Sequence, residues 1–242
     1  MYKEFSKVYD EFMEYADYDL WYETLCQLIG VTEVQGDKLL DLGCGTGEIL
    51  LRAHHDFKCE GADLSSGMLK RASEKLNSEG VEVPLYEQDM RELSLGKRYD
   101  VIVSMFDTVN HLTNREDLVK LFRGIYNHLE EDGVYIFDVV DREFMEEMFP
   151  GGVFLDEREN MTVIWEHEYD EETGLDYIDT TFFVKNDMGS YDKYIEDYEK
   201  KVFTHEEIGQ CAEEAGLDVR GIYENSELAG RRYFYTLEKK SK

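Results

Sequence analysis

The stretch LLDLGCGTGEIL, residues 39–50, decides the fold. A short hydrophobic run ends on Asp41, glycines follow at positions 43, 45 and 47, and an apolar helix-like pattern then resumes. A buried strand that passes through a bare turn into a helix is the opening unit of an open α/β sheet. Such sheets bind ligands at the carboxyl ends of their strands, near the switch point. Glycines at alternate positions permit a tight turn and let main chain approach a ligand without Cβ collisions. The spacing departs from the G-x-G-x-x-G of dinucleotide sites, because the third glycine comes one position early and Glu48 stands in its place. An acid in the first helical turn opposes a pyrophosphate, which helix N-termini otherwise attract. The loop suits a ligand without phosphates.

Outward from this stretch, strand and helix patterns alternate. CEGADL, VEVPLYEQD, YDVIVSMF and GVYIFDVV read as strands, and EILLRAHH, SSGMLKRASEKLNSE and NREDLVKLFRGIYNHL as helices, the last capped by Asn114. Residues 1–30 read as two short amphipathic helices, EFSKVYDEFMEY and DLWYETLCQLI. After Asp141 the regime changes to aromatic, β-branched runs, MTVIWEHEYD, LDYIDTTFFVKND and YDKYIEDYEKKVF, separated by EETG and NDMGS. Three such runs joined by short loops predict an antiparallel meander. THEEIGQCAEEAG then reads as a helix with a Thr204/Glu207 capping box, and LDVRGIYEN and RRYFYTLEK close the chain as strands. The expected fold class is α/β: a Rossmann-like, doubly wound, mostly parallel seven-stranded sheet with an inserted antiparallel β meander. The expected division is a main domain from 1–147 and 203–242, with residues 1–30 as a helical lid, and an inserted subdomain at 148–202.

Composition narrows the function. The chain has 242 residues and a formal net charge of −29, with 55 acidic against 26 basic side chains. Lys and Arg contacts to phosphate carry most non-specific nucleic-acid affinity, so broad DNA or RNA binding is disfavoured, as is an anionic membrane surface. No apolar run approaches the roughly 18 residues of a membrane span, and the acidic, aromatic start does not resemble a secretory signal. Cys26, Cys44, Cys59 and Cys211 form no C-x-x-C pair, which points to a reducing, cytoplasmic location and to no structural zinc.

With these motifs in register, the first 140 residues resemble the class I S-adenosylmethionine-dependent methyltransferases. LLDLGCGTG resembles their first motif and CEGADLSSGML their second, in which the acid ending the second strand, here Asp63, accepts both ribose hydroxyls. YEQDMREL resembles the segment flanking the adenine, and SMFDTVNHL the motif that closes over the methionyl part. The resemblance implies S-adenosyl-L-methionine as cofactor and, as its binding residues, Asp41, Gly43, Cys44, Gly45, Gly47, Asp63, Leu64, Met68, Gln88, Asp89, Met90, Met105, Phe106 and Asp107. No metal is called for. His111, in VNHL, is the candidate to take or orient a proton, or else packs at the loop; Tyr9, in KVYDEF, is a second catalytic candidate in a lid, or else core. Tyr18 and Trp21 read as lid or core aromatics.

The only prolines are Pro84 and Pro150, so the Pro-Pro-Tyr and Pro-Cys elements of two nucleobase-modifying classes are absent. The meander and ELAGRRYFY resemble the small-molecule branch that includes amino-sugar N,N-dimethyltransferases and glycine N-methyltransferase. That resemblance implies a small-molecule acceptor, an amine, under a roof made by the meander, which could also form a homodimer contact. Arg231 could meet an acidic group of the acceptor or pair within the protein. An RNA modifier working with a partner, a transferase of another group from an S-adenosylmethionine relative, and a binding protein stay open as alternatives.

Overall fold

The computed structural model describes residues 5–228 and 230–240. Its central element is β1 (Lys38–Leu42), in which Leu39, Leu40 and Leu42 are buried and carry Asp41 into the interior with them. β1 lies between β2 (Lys58–Asp63) and β4 (Tyr99–Ser104), paired in parallel with both. The chain first winds outward through β2 to β3 (Leu85–Glu87), then returns across β1 to β4 and β5 (Leu129–Val139). β10 (Leu217–Asn225) and β11 (Arg232–Lys239) complete seven strands in the order β10-β11-β5-β4-β1-β2-β3, with β11 antiparallel to both neighbours. Reversal of winding between β1 and β4 leaves a crevice at their carboxyl ends.

The helices form where the sequence supplies caps and an apolar stripe. Ser65 caps α4 (Ser66–Ser78) by accepting from Met68 N at 3.3 Å, and Asn114 caps α5 (Arg115–His128) by accepting from Asp117 N at 2.9 Å. In α5, Leu118, Leu121, Phe122 and Ile125 recur at helical spacing and are buried against the sheet. α3 (Glu48–Ala53) and α2 (Tyr18–Gly30) cover the opposite face, and α7 (His205–Glu214) opens on the expected Thr204/Glu207 capping box.

Three local expectations are corrected. EFSKVYDEFMEY is not a continuous helix: a 3-10 turn (Phe5–Lys7) is followed by the single turn α1 (Tyr9–Phe12), because Phe5, Val8 and Phe12 are drawn onto the second sheet instead of along one helix face. VEVPLYEQD yields only three strand residues, since Pro84 cannot donate to the ladder. The meander has four strands, β6 (Val153–Glu157), β7 (Met161–Asp170), β8 (Leu175–Lys185) and β9 (Tyr191–Lys201), preceded by α6 (Arg142–Met148). Its inner face buries Met161, Val163, Trp165, Ile178 and Phe182 against Phe5, Val8, Met145 and Phe149. β9 also meets the turn after β4, where Asn110 Nδ2 donates to Lys201 O at 2.8 Å.

Candidate functional site

A cavity of about 210 Å³ opens at the carboxyl ends of β1, β2 and β4. Its base is the glycine loop. Gly43 and Gly45 take φ of 87° and 51°, and Gly43 lies against Thr108 so closely that no side chain fits. This bare main chain leaves two carboxylates facing the same space. Asp63 Oδ2 accepts from Gly45 N at 2.9 Å and Oδ1 from Ser65 N at 2.8 Å, which fixes the orientation of the carboxylate. Burial pushes the Asp63 pKa up while those main-chain donors pull it down. Asp41 is pushed up to about 8, first by burial and then by the charge of Asp63. The buried Cys44 thiol between them is raised well above its ordinary range by desolvation and both acids, so it is a neutral packing group.

Leu64 and Met68, from the end of β2 and the start of α4, and Gln88, Asp89 and Met90, after β3, line the side remote from α2. Arg91 lies across the Asp89 carboxylate, its Nε donating to Oδ1 at 2.9 Å and its Nη2 to Oδ2 at 2.5 Å, and this ion pair holds Asp89 below the usual carboxylate range.

Neutral groups gather at the other end. Tyr9, Tyr18, Met105, Phe106 and His111 all line the cavity. Phe106 stacks on the buried Trp21 with centroids 4.0 Å apart and meets Tyr18 edge-on at 5.4 Å. The His111 ring lies 5.4 Å from that of Tyr198 on β9. Burial, reinforced by the charge of Lys200 and opposed by Asp107, pushes His111 down to about 3, so it is a neutral imidazole at physiological pH. Burial first, then the nearby charge of Asp107, raises the Tyr9 phenol far above its ordinary range, keeping it protonated.

Two residues from the sequence reading stand apart from the cavity. Gly47 is the residue that precedes α3, and it approaches Ala72 of α4. Asp107 is turned away into an ion-paired cluster with Lys200 and Arg232, because those two cations reach it from β9 and β11. Arg231 pairs with Asp141 and Glu143 of its own chain. Conversely, Thr46, Glu48, Arg91, Thr108 and Asp117 line the cavity without having been singled out as ligand residues. Thr46 donates to Asp10 Oδ1 at 2.6 Å, and Lys75 Nζ joins Asp10, Thr46 and Glu48 at 2.8, 3.1 and 2.6 Å.

The donor set fits S-adenosylmethionine. Among the described residues no cation pairs with Asp41 or Asp63, so these desolvated carboxylates favour a ligand bearing positive charge, and the bare glycine loop leaves room for it. Among the described residues no cluster of three or more His, Cys, Asp or Glu side chains could hold a metal ion, and no helix is long and apolar enough to cross a membrane.

Comparison with known proteins agrees. A family model described as "Methyltransferase domain" matches residues 39–133. YqeM of Bacillus subtilis (strain 168), a protein assigned by name to the methyltransferases, is 32% identical over 224 residues, covering 92% of this chain and 88% of the relative. The dTDP-3-amino-3,6-dideoxy-alpha-D-glucopyranose N,N-dimethyltransferase of Streptomyces fradiae is 29% identical over 206 residues, 84% of this chain and 78% of that protein. The crystal structure of an S-adenosylmethionine-dependent methyltransferase from Clostridium acetobutylicum ATCC 824 superposes with a TM-score of 0.87 at 25% identity, covering 98% of each chain. Taken with the glycine loop and its two buried acids, these likenesses place the chain among the class I S-adenosylmethionine-dependent methyltransferases, with S-adenosylmethionine as its cofactor.

Proposed function

We propose that the enzyme methylates the nitrogen of a small-molecule amine. One observation carries this reading: of the acidic side chains that line the cavity among the described residues, Glu48, Asp89 and Asp117 are ion-paired, with Arg52 and Lys75, with Arg91 and with Lys120 respectively, whereas Asp41 and Asp63 meet no cation and leave the lining acidic. Such a field attracts an ammonium and repels a phosphate-rich polymer. The Streptomyces fradiae relative, an amino-sugar N,N-dimethyltransferase by name, supports the same class of acceptor.

When bound, S-adenosylmethionine supplies a methyl group on positively charged sulfur, already activated for displacement. The chain's own residues align the acceptor and exclude water. In this reading Gly43, Cys44 and Gly45 cradle the cofactor, Asp41 takes its ammonium, Asp63 its ribose hydroxyls, and Leu64, Met68, Gln88, Asp89 and Met90 its adenine side. Met105 and Phe106 wall the methionyl part. An amine must lose one proton before its lone pair can attack. Neutral His111 then accepts a hydrogen bond from the remaining N–H and aims the lone pair, with Tyr9 as a protonated neighbour. A pKa near 3 makes His111 an orienting group and a poor reservoir for a whole proton. Residues 148–202 roof the acceptor, and residues 5–30 of the expected lid close over the methyl end, residues 1–4 lying outside the described residues.

The test is methyl transfer from isotope-labelled S-adenosylmethionine into a panel of small amines, amino sugars among them, and into a cell extract fractionated into small molecules, RNA and protein. Label confined to amine nitrogen in the small-molecule fraction is expected. Label in RNA or protein overturns the reading, and full turnover by His111→Ala removes His111 from the chemistry.

A further inference from the structure

The turn after β4 is held in an unfavourable shape by charges that no part of the cofactor cavity uses. Phe106 and Asp107 are consecutive non-glycine residues with φ of 63° and 50°. Left-handed backbone of this kind persists in such residues only where the surroundings over-determine it. Here they do. Arg232 Nη1 donates to Asp107 Oδ1 at 2.9 Å and to Asp138 Oδ2 at 2.7 Å, and the same Asp138 oxygen accepts from Asp107 N at 2.9 Å. Lys200 of β9 closes the cluster on Asp107 Oδ2. Two acids and two bases, all nearly buried, thus balance at one point where β5, β9, β11 and the turn meet.

The second sheet contributes one member of this cluster, and residues on either side of the cluster member Asp107 line the cavity. Phe106 precedes Asp107 and His111 ends the short helix that follows it. We infer that Lys200 is a positioning residue for methyl transfer, acting from the second sheet through Asp107 to hold the turn that presents Phe106 and His111 to the cofactor cavity. Lys200 and Tyr198 share the inner face of β9, so the strand that neutralises Asp107 also backs the His111 ring.

The groups around His111 give the role a signature. Lys200 and Tyr198 approach from β9 together with the Glu199 backbone, Asp107 lies on the turn itself, Asp138 stands behind it on β5, and Tyr9 shares the cavity from the N-terminal segment. Removal of Lys200 takes away a repelling positive charge and leaves Asp107 less balanced. Both changes favour protonated His111.

The test needs no acceptor, so it stands or falls apart from the amine reading. S-adenosylhomocysteine binding is measured by calorimetry, and the His111 resonance is titrated by NMR of histidine-labelled protein, assigned with His111→Asn. Lys200→Met should weaken binding about tenfold and raise the His111 titration by about one pH unit or more, with Lys200→Arg restoring most of both. If circular dichroism shows Lys200→Met unfolded, Lys200→Met/Asp107→Asn removes both charges and should still bind about tenfold more weakly. Binding within about twofold of the parent by whichever of these variants folds, or an unmoved His111 titration in folded Lys200→Met, overturns the inference.

Discussion

Replacing Gly43 by alanine puts a number on how bare the glycine loop must be, with Gly45→Ala as its control. Both residues have positive φ, so both alanines meet the same left-handed penalty of about 1 kcal/mol. They differ in space. A Cβ at position 45 has nothing within 4 Å, whereas at position 43 it lies 2.4 Å from Thr108 Cγ2, 3.1 Å from Oγ1 and 3.3 Å from Cβ. Rotating Thr108 does not clear the clash, because its Cβ is itself close. Rotation would also break the 2.7 Å hydrogen bond from Thr108 Oγ1 to Met105 O, at about 1 kcal/mol. Overpacking of a methyl group adds about 1 to 3 kcal/mol. Gly43→Ala should therefore cost the free protein about 3 kcal/mol more stability than Gly45→Ala, whose Cβ meets only the open cavity. Thermal and denaturant melts of the free proteins read this difference, and calorimetric titration with S-adenosylhomocysteine reports separately how far each Cβ intrudes on the ligand. Two variants of equal stability would refute the reasoning.

The acid pair predicts a pH effect. The Asp41 pKa, raised to about 8, exceeds its unfolded value, so the free protein binds a proton that the unfolded chain lacks, and stability is lost as pH rises from about 4 to 8. Cofactor charge favours ionised Asp41, so calorimetry at pH 7 in phosphate and Tris should show release of about one proton on S-adenosylmethionine binding, absent in Asp41→Asn; an enthalpy independent of buffer rejects this. Lys75→Met should loosen the N-terminal segment from Thr46 and Glu48 and speed cofactor release by about two- to fivefold in stopped flow, the modest size reflecting the exposed Asp10 end of the bridge. Phe182→Ala empties a fully buried site stacked on Phe5 at 4.5 Å and should destabilise the second sheet by about 3 to 4 kcal/mol, exposing residues 5–12 to limited proteolysis; an unchanged cleavage rate counts against the packing described.

The parallel half of the fold was legible because burial and chemistry there coincide in short, regular patterns. KLLDL, CEGADL and YDVIVSMF are largely apolar runs ending on residues that face the cavity, and α4 and α5 each carry a side-chain cap, although α3 starts at Gly47 without one. β6 left no such trace. VFLDE alternates but exposes Val153 and Leu155, follows Pro150 and two glycines, and forms the edge of its sheet, so nothing in it requires a strand. α6 buries only Met145. The N-terminal segment misled for the opposite reason: its apolar spacing suited a helix, but tertiary contacts with Phe182 and Trp165 won. Within the cavity, the motifs named most of the lining positions but not all: Thr46, Glu48, Arg91 and Thr108 lie in or beside them and were not singled out, and no motif reaches Asp117. Asp107 sits in the expected motif, yet its carboxylate answers to Lys200 and Arg232, which lie 93 and 125 positions away.

The two costly features of the molecule converge on the cavity from opposite sides. At the loop end, Asp41 and Asp63 are desolvated next to one another, an arrangement that strains the free protein and is relieved by a cationic ligand. At the other end, Phe106 and Asp107 hold left-handed backbone that is stabilised by charges drawn from β5, β9 and β11. Neither feature helps the fold stand. The first is relieved by a ligand and the second by the second sheet, so cofactor affinity and the packing of that sheet are linked through the same few residues. A change in β9 at Lys200 should accordingly be felt in cofactor binding, although Lys200 does not line the cavity. A surface change on the outer face of the same strand, at Lys193, should not.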